Sequence, residues 1–378
     1  MQPTQLVDRR SALDVSLELA GKAWKIAATD GKRSHPAVFV VDAKPLWTRL
    51  QALLRRMHEL RHQWSLPAGG QIHVIYEAGQ DGFWIARALQ AQGIGVIVVD
   101  AASVPVPRQA RRAKTDRLDA LKLLEALRGW LRGERGELRV LHIPSEAAEA
   151  RRLLARERGL LQKEIGQHRD RARKLLLLHG CTEELDDSFD ERLVAGRVCR
   201  ADGTPLPEEL WSWLLREAER LQLARQQLAR LEKSLLHQLP QSVQRCIAQL
   251  AQLRGIGWVG AMRLVLELFW RDFVNRRQVG ACVGLVPQPY DSGNSHVDQG
   301  ISKQGNRRVR ALLIEMAWFW VRYQPGSDLA RWFASRTTAG SKRARRVAIV
   351  AVARRLAVDL WRYLRDGVVP AGAELKAA

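Results

Sequence analysis

Residues 11–30 read SALDVSLELAGKAWKIAATD, an apolar strand carrying Asp14 followed by a second strand that begins at Trp24. Further apolar runs of strand type occur at residues 37–41 (AVFVV), 72–76 (IHVIY) and 95–99 (GVIVV). Helix-like stretches at residues 46–64 and 83–92 lie between them. Strands alternating with helices predict a layered α/β domain around a central sheet.

The middle of the chain is built differently. Residues 146–179 form a long Arg- and Leu-rich run without proline, with Leu161, Ile165, His168, Ala172 and Leu175 spaced by four and three. Residues 178–207 break that pattern with Gly203, Pro205 and Pro207, and a second long helix is expected over 208–238. There Leu214, Leu221, Leu228 and Leu235 recur every seven residues, with Ala224 and Leu231 between them. Sustained heptads favour a coiled coil or a helical hairpin, either packed within one chain or forming a dimer stalk. Glu217 falls on the seam and is expected to weaken it. From about residue 242 the chain reads as short helices, and its tail beyond Gly367 as loosely ordered.

The 378 residues carry 61 Lys and Arg against 40 Asp and Glu, a formal net charge of +21. Such an excess points to a polyanionic partner, nucleic acid first. No apolar run is long enough for a transmembrane helix, and the N-terminus lacks a signal core, so a cytoplasmic protein without a membrane partner is expected. The four cysteines show no CxxC spacing, which excludes an ordinary zinc site. The most basic stretch, residues 303–346, interleaves Trp318, Trp320, Tyr323, Trp332 and Phe333 with its arginines. Aromatics beside guanidiniums suit bases and sugar–phosphate backbone, although a helical core accounts for Trp318 and Trp320.

Four carboxylates stand out. Asp14 lies in the first strand, and Glu77 ends the run IHVIYE. Asp116 and Asp119, in RRAKTDRLDALKLLEAL, share one face at the start of a helix. An acid at the end of a buried strand is costly unless satisfied, and a hard divalent cation satisfies it well. Arg111, Arg112, Lys114 and Arg117 surround the pair and would hold a phosphate backbone. A second constellation is Leu253-Arg254-Gly255-Ile256-Gly257, a hairpin between two helices. The backbone N–H groups at Gly255 and Gly257 would bind phosphate without reading sequence. A third is residues 283–310, rich in Gly, Ser, Asn and Pro and hence loop-like, which opens into a basic helix through Lys303, Arg307, Arg308 and Arg310. Within it Ser292 fits a plain turn between Asp291 and Gly293.

Taken together, ALDVS (12–16), YEAGQDGFW (76–84), ARRAKTDRLDA (110–120), LRGIGWVGA (253–261), VGACVGLVPQPYDSG (279–293) and GISKQGNRRVRALLIEMAW (300–318) resemble the IS110-type transposases of bacterial insertion sequences. The resemblance implies a RuvC-like (RNase H-fold) domain over residues 8–145 and a coiled-coil or hairpin insertion over 146–241. It further implies a mostly α-helical C-terminal transposase domain with a helix-hairpin-helix element over 242–370. It places a metal set on Asp14, Glu77, Asp116 and Asp119, holding Mg²⁺ or Mn²⁺, and a nucleophile on Ser292. The implied partners are donor and target DNA, a structured non-coding guide RNA, and further copies of the chain in a dimer or tetramer. The implied location is the bacterial cytoplasm, at the nucleoid. The sequence departs from the family pattern at Leu17, where Lys is common, and at Gly79, where Thr is common. Two alternatives remain at this point. One is a junction-resolving or structure-specific nuclease using the carboxylates and water alone, the other a non-catalytic nucleic-acid scaffold.

Overall fold

The computed structural model describes residues 12–79, 82–104, 115–134, 138–292, 295–338 and 340–376, without the side chains at 236, 289–292 and 295–298. Arg111, Arg112 and Lys114 therefore lie outside the described residues. The chain divides into two compact units, with the boundary between Ser145 and Glu146.

The first unit is built on a five-stranded sheet with the order β3-β2-β1-β4-β5. Its strands are β1 (Leu13–Leu19), β2 (Trp24–Thr29), β3 (Ala37–Val41), β4 (Ile72–Glu77) and β5 (Gly95–Val99). The first three form an antiparallel meander, while β1, β4 and β5 run parallel. Parallel neighbours need crossover connections, and α1 (Leu46–Gln63) and α2 (Trp84–Gln90) supply them. Period-two alternation divides the side chains of β1. Leu13, Val15 and Leu17 pack with Leu50, Leu53 and Met57 of α1 and Ile85 and Leu89 of α2. The opposite face packs Ala27, Ile75 and Val99 against Ala120, Leu123, Leu124 and Leu127 of α3 (Asp116–Arg132).

Arg49 of α1 is 1% exposed, inside an apolar layer. Its guanidinium donates to the carbonyls of Ala43, Ala20, Gly21 and Lys22 and lies over Trp24. It thereby closes the β1–β2 turn.

The second unit is helical. α4 (Glu146–Leu177) and α6 (Glu208–Gln238) pack along each other within the one chain. They are antiparallel, since Arg158 meets Glu232, Ile165 meets Leu221 and Ala224, and His168 meets Glu217. The heptad positions Leu214, Leu221 and Leu235 are buried. Glu217, expected to weaken the seam, is paired where it stands. It is 2% exposed, and His168 Nδ1 (2.6 Å), Arg171 Nε (3.1 Å) and Arg220 Nη1 (2.9 Å) donate to it. Residues 178–207 fold back as a small cap, with α5 (Phe189–Val194) and a cluster of Cys181, Leu185, Phe189 and Leu193.

The C-terminal half holds α7 (Gln241–Ala251), α8 (Trp258–Glu267), α9 (Arg276–Val283), α10 (Arg307–Tyr323), α11 (Asp328–Thr337) and α12 (Lys342–Asp366) around one large core. α12 has 25 residues, longer than the short helices expected, because no Gly or Pro interrupts that stretch. The segment read as a loop is a two-stranded hairpin of β6 (Pro287–Ser292) and β7 (Ser295–Ile301). An isolated ribbon has two open edges, so Pro287 and Pro289 are tolerated in it. The tail is ordered rather than loose. Leu375 bridges to Leu253, Glu374 O accepts from Arg254 N, and Lys376 N donates to Gln252 O. Among the described residues no helix is long and apolar enough to cross a membrane.

Candidate active site

Asp14 and Ser16 share the face of β1 turned toward α3, because Ser16 Oγ donates to Ala120 O at 2.6 Å. The same alternation puts His73, Ile75 and Glu77 of β4 on that face, where Ile75 packs with α3. α3 runs against the direction of β1. Ala120 lies on Ser16, whereas Arg128 lies beside Gly31, next to the end of β2 that pairs with Asp14. The first turn of α3 therefore projects toward the C-terminal ends of β1 and β4, where Glu77 closes its strand. Thr115 caps that turn by accepting from Leu118 N. Asp116 and Arg117 are exposed, and Asp119 takes a bond from Lys122 Nζ at 3.1 Å. The negative charges at a helix N-terminus also oppose the macrodipole favourably.

The register separates Asp14 from this end. Asp14 pairs laterally with His73, four positions before Glu77. At about 3.3 Å per residue that is roughly 13 Å along the strands. The Asp14 carboxylate accepts from His73 Nδ1 at 3.0 Å, and His73 Nε2 lies 3.1 Å from Gln71 Oε1. Continuing the register past Leu17↔Tyr76 by one residue sets Glu18, not Asp14, beside Glu77. The donor chemistry of Asp14, Glu77, Asp116 and Asp119 suits a hard cation. The arrangement does not. Among the described residues no three His, Cys, Asp or Glu side chains gather closely enough to hold an ion.

In the second unit Ser292 ends β6 and pairs with Ser295 of β7, with two residues between them. The base of this hairpin is locked. Lys303 N donates to Gly284 O and Asn306 N to Cys282 O. Gly284 and Gly305 have φ of +65° and +98°, and a Cβ on either would fall on a backbone carbonyl, of Gln304 or of Cys282. Asn306 caps α10 through Arg308 N and Val309 N, and its Nδ2 donates to Glu267 at 3.2 Å. Glu267 is 6% exposed and accepts both Arg156 Nε (2.9 Å) and Arg156 Nη2 (3.3 Å). Burial works against its ionisation, but Arg156 and Asn306 outweigh it and hold the carboxyl below the usual range.

The basic residues assigned to nucleic acid divide. Lys303, Arg307 and Arg308 are exposed at the mouth of α10. Arg310 is turned inward and donates to Val283 O at 3.1 Å, and burial followed by the charge of Arg307 lowers its pKa. It positions the α9 terminus. Gly255 (φ +83°) closes the α7–α8 turn against Phe319 and Tyr323 of α10, and Gly257 is the N-cap of α8. The Arg254 N–H of that turn is already taken by the tail. Trp320 is core, as read, with its indole N–H on Ser327 Oγ at 3.0 Å. Trp318 is 38% exposed and lies beneath Arg345, so the core does not account for it.

Sequence reading passed over His73 and Glu18. The alternation of IHVIYE and LDVSLEL was the signal that put both on the carboxylate face. It also passed over the arginines of α9 and the second half of α12, which lie outside the most basic stretch.

Comparison with known proteins gives two family matches. Residues 31–180 match a transposase model, DEDD_Tnp_IS110, and residues 247–332 match the model described as Transposase IS116/IS110/IS902 family. The first span contains Glu77, Asp116 and Asp119 and begins after Asp14; the second contains Ser292. The chain is 38% identical over 391 aligned residues to a Sinorhizobium fredii protein named "Putative transposase y4rJ", covering 99% of this chain and 97% of that one. It is 27% identical to the transposase for insertion sequence element IS1328 of Yersinia enterocolitica, over 68% of this chain and 73% of the relative. A shorter match, 34% identical over 32% of this chain and 31% of the relative, is to the transposase for IS1533 of Leptospira borgpetersenii.

Proposed function

Because this chain belongs to the IS116/IS110/IS902 family of transposases, we propose that it moves an insertion sequence by cutting and rejoining DNA through a phosphoserine link at Ser292. The observation that carries this reading is the position of Ser292. It stands at the end of a hairpin whose base is locked by Gly284 and Gly305 and which leads into the exposed Arg307 and Arg308. A serine at the turn end of such a hairpin can reach a backbone phosphate, while Arg307 and Arg308, beyond the opposite end, are placed to hold phosphates further along the strand. The Ser292 oxygen bonds to phosphorus as one strand oxygen leaves, and a strand hydroxyl later reverses the step, so the ester energy is conserved.

The sheet order and strand directions of the first unit support reading it as a RuvC-like, RNase H-type nuclease fold. α4 and α6 then form the coiled-coil insertion, and α7–α8 the helix-hairpin-helix element. Glu77, Asp116 and Asp119 are its acidic end; Asp14 holds His73 instead. The net charge of +21 supports two anionic partners, donor and target DNA and a structured guide RNA whose pairing supplies sequence choice. The working assembly in this reading is a homo-oligomer.

The test is Ser292→Ala on a substrate carrying the element's ends. Expected are loss of strand exchange and of the covalent protein–DNA adduct seen on denaturing gels. Full strand cleavage by that variant would leave only a hydrolytic nuclease. Asp119→Asn, and chelation with Mg²⁺ or Mn²⁺ add-back, report separately whether the acidic end is used. Intact activity in both would return the first unit to a scaffold.

A further inference from the structure

A concentration of guanidiniums in the second unit lies between α9 and α12. Between the start of α9 and the second half of α12 is a cavity of about 380 Å³. Arg276 and Arg277 line it from α9, and Arg354, Arg355 and Arg362 from α12, with Asp359 among them. None of the five guanidiniums forms an ion pair among the described residues. Asp359 stands among them without an ion pair to any of the five among the described residues. Burial pushes its carboxyl up, against the pull of Arg362 and Arg355. The helix N-terminus contributes little, since Asn275 already accepts from Arg277 N and Gln278 N. What the cavity offers is guanidinium, and planar guanidiniums converging on one space match phosphate oxygens.

A second cavity of about 250 Å³ shares the walls Arg355, Asp359 and Arg362 and is lined further on by Val368 and Val369. A basic pocket beside a partly apolar one suits a polymer with charged and uncharged parts better than an isolated anion.

We propose that this α9–α12 cleft binds the phosphodiester backbone of a nucleic acid. The proposal rests on the nucleic-acid reading given above, and the experiment separates the two. Affinity of the full chain for a labelled DNA duplex and an RNA duplex of equal length is measured by fluorescence anisotropy over a salt series. The wild type is compared with Arg277→Gln/Arg354→Gln and with Asp359→Asn. The wild-type slope of log K against log salt is expected to be steep. The double variant should flatten it by about 1.8 on DNA, at ~0.9 per lost contact. Asp359→Asn, which removes the opposing charge while keeping the volume, should tighten binding. Whichever duplex loses more identifies the strand held in the cleft. A steep wild-type slope left unchanged by the double variant, with its thermal melt intact, would overturn the cleft and leave the nucleic-acid reading standing. A flat wild-type slope would overturn both. A melt raised as much by inorganic phosphate as by oligonucleotide at equal phosphate concentration would overturn the backbone assignment in favour of a small-anion pocket.

Discussion

Arg49 shows how much a single residue settles in the first unit. Its buried guanidinium donates to four loop carbonyls, three of them on the exposed residues Ala20, Gly21 and Lys22. Arg49→Met keeps the volume and removes all the donors, and is expected to cost about 1.5–3 kcal/mol by urea unfolding. Arg49→Lys should recover only part of it, since a point-like ammonium cannot span the same fork. A loss below ~1 kcal/mol would mean that water replaces the guanidinium. Nothing in LWTRLQALL marks this Arg as internal. The apolar face of α1 is legible from spacing, but its carbonyl partners arrive from the β1–β2 turn, and no local pattern reports them. Asp14 illustrates the converse. Its strand is legible, whereas its neighbour is decided by the register of β1 on β4.

At the scale of elements, the heptad in α6 correctly marks a buried seam, yet the polar lock on it depends on antiparallel register with α4. Glu217→Ala is expected to destabilise the second unit by about 2 kcal/mol, below the usual loss for a broken buried pair because Arg171 and Arg220 are half exposed. Glu267 joins α4, α8 and α10 in the same manner. Its carboxyl is held below the ordinary range, so its contribution to stability is present above that range and is lost as pH falls through the lowered value. The difference in urea midpoint between wild type and Glu267→Gln should therefore be full at neutral pH and close in acid. A difference constant with pH would show that the carboxylate charge is not what counts. The β6–β7 hairpin was not legible as strands, because Pro, Gly and Ser outweigh the alternation in PQPYDSGNSHVDQGI. The two glycines at its base explain why that composition persists. Gly284→Ala is expected to abolish strand exchange while leaving the melt of the first unit unchanged.

At the scale of the whole molecule, the order of strands and helices in the first unit and the two long helices of the second could be read from the sequence. The pairings that build a site could not, because each joins residues distant in sequence. Ser292 and the acidic end of α3 lie in different units of one chain. If a working site takes its serine and its acids from different subunits, Asp119→Asn and Ser292→Ala chains co-assembled in one oligomer should exchange strands although neither does so alone. Failure in oligomers shown by native mass spectrometry to contain both would place the whole site in one chain.

The clasp on the α7–α8 turn has a consequence for biosynthesis. Arg254 is held by Glu374, 120 residues further on. At translation rates of about 5–20 residues per second, the turn leaves the ribosome some 6–24 s before its clasp is made. During that interval the backbone N–H of Arg254 faces water or whatever polyanion is at hand.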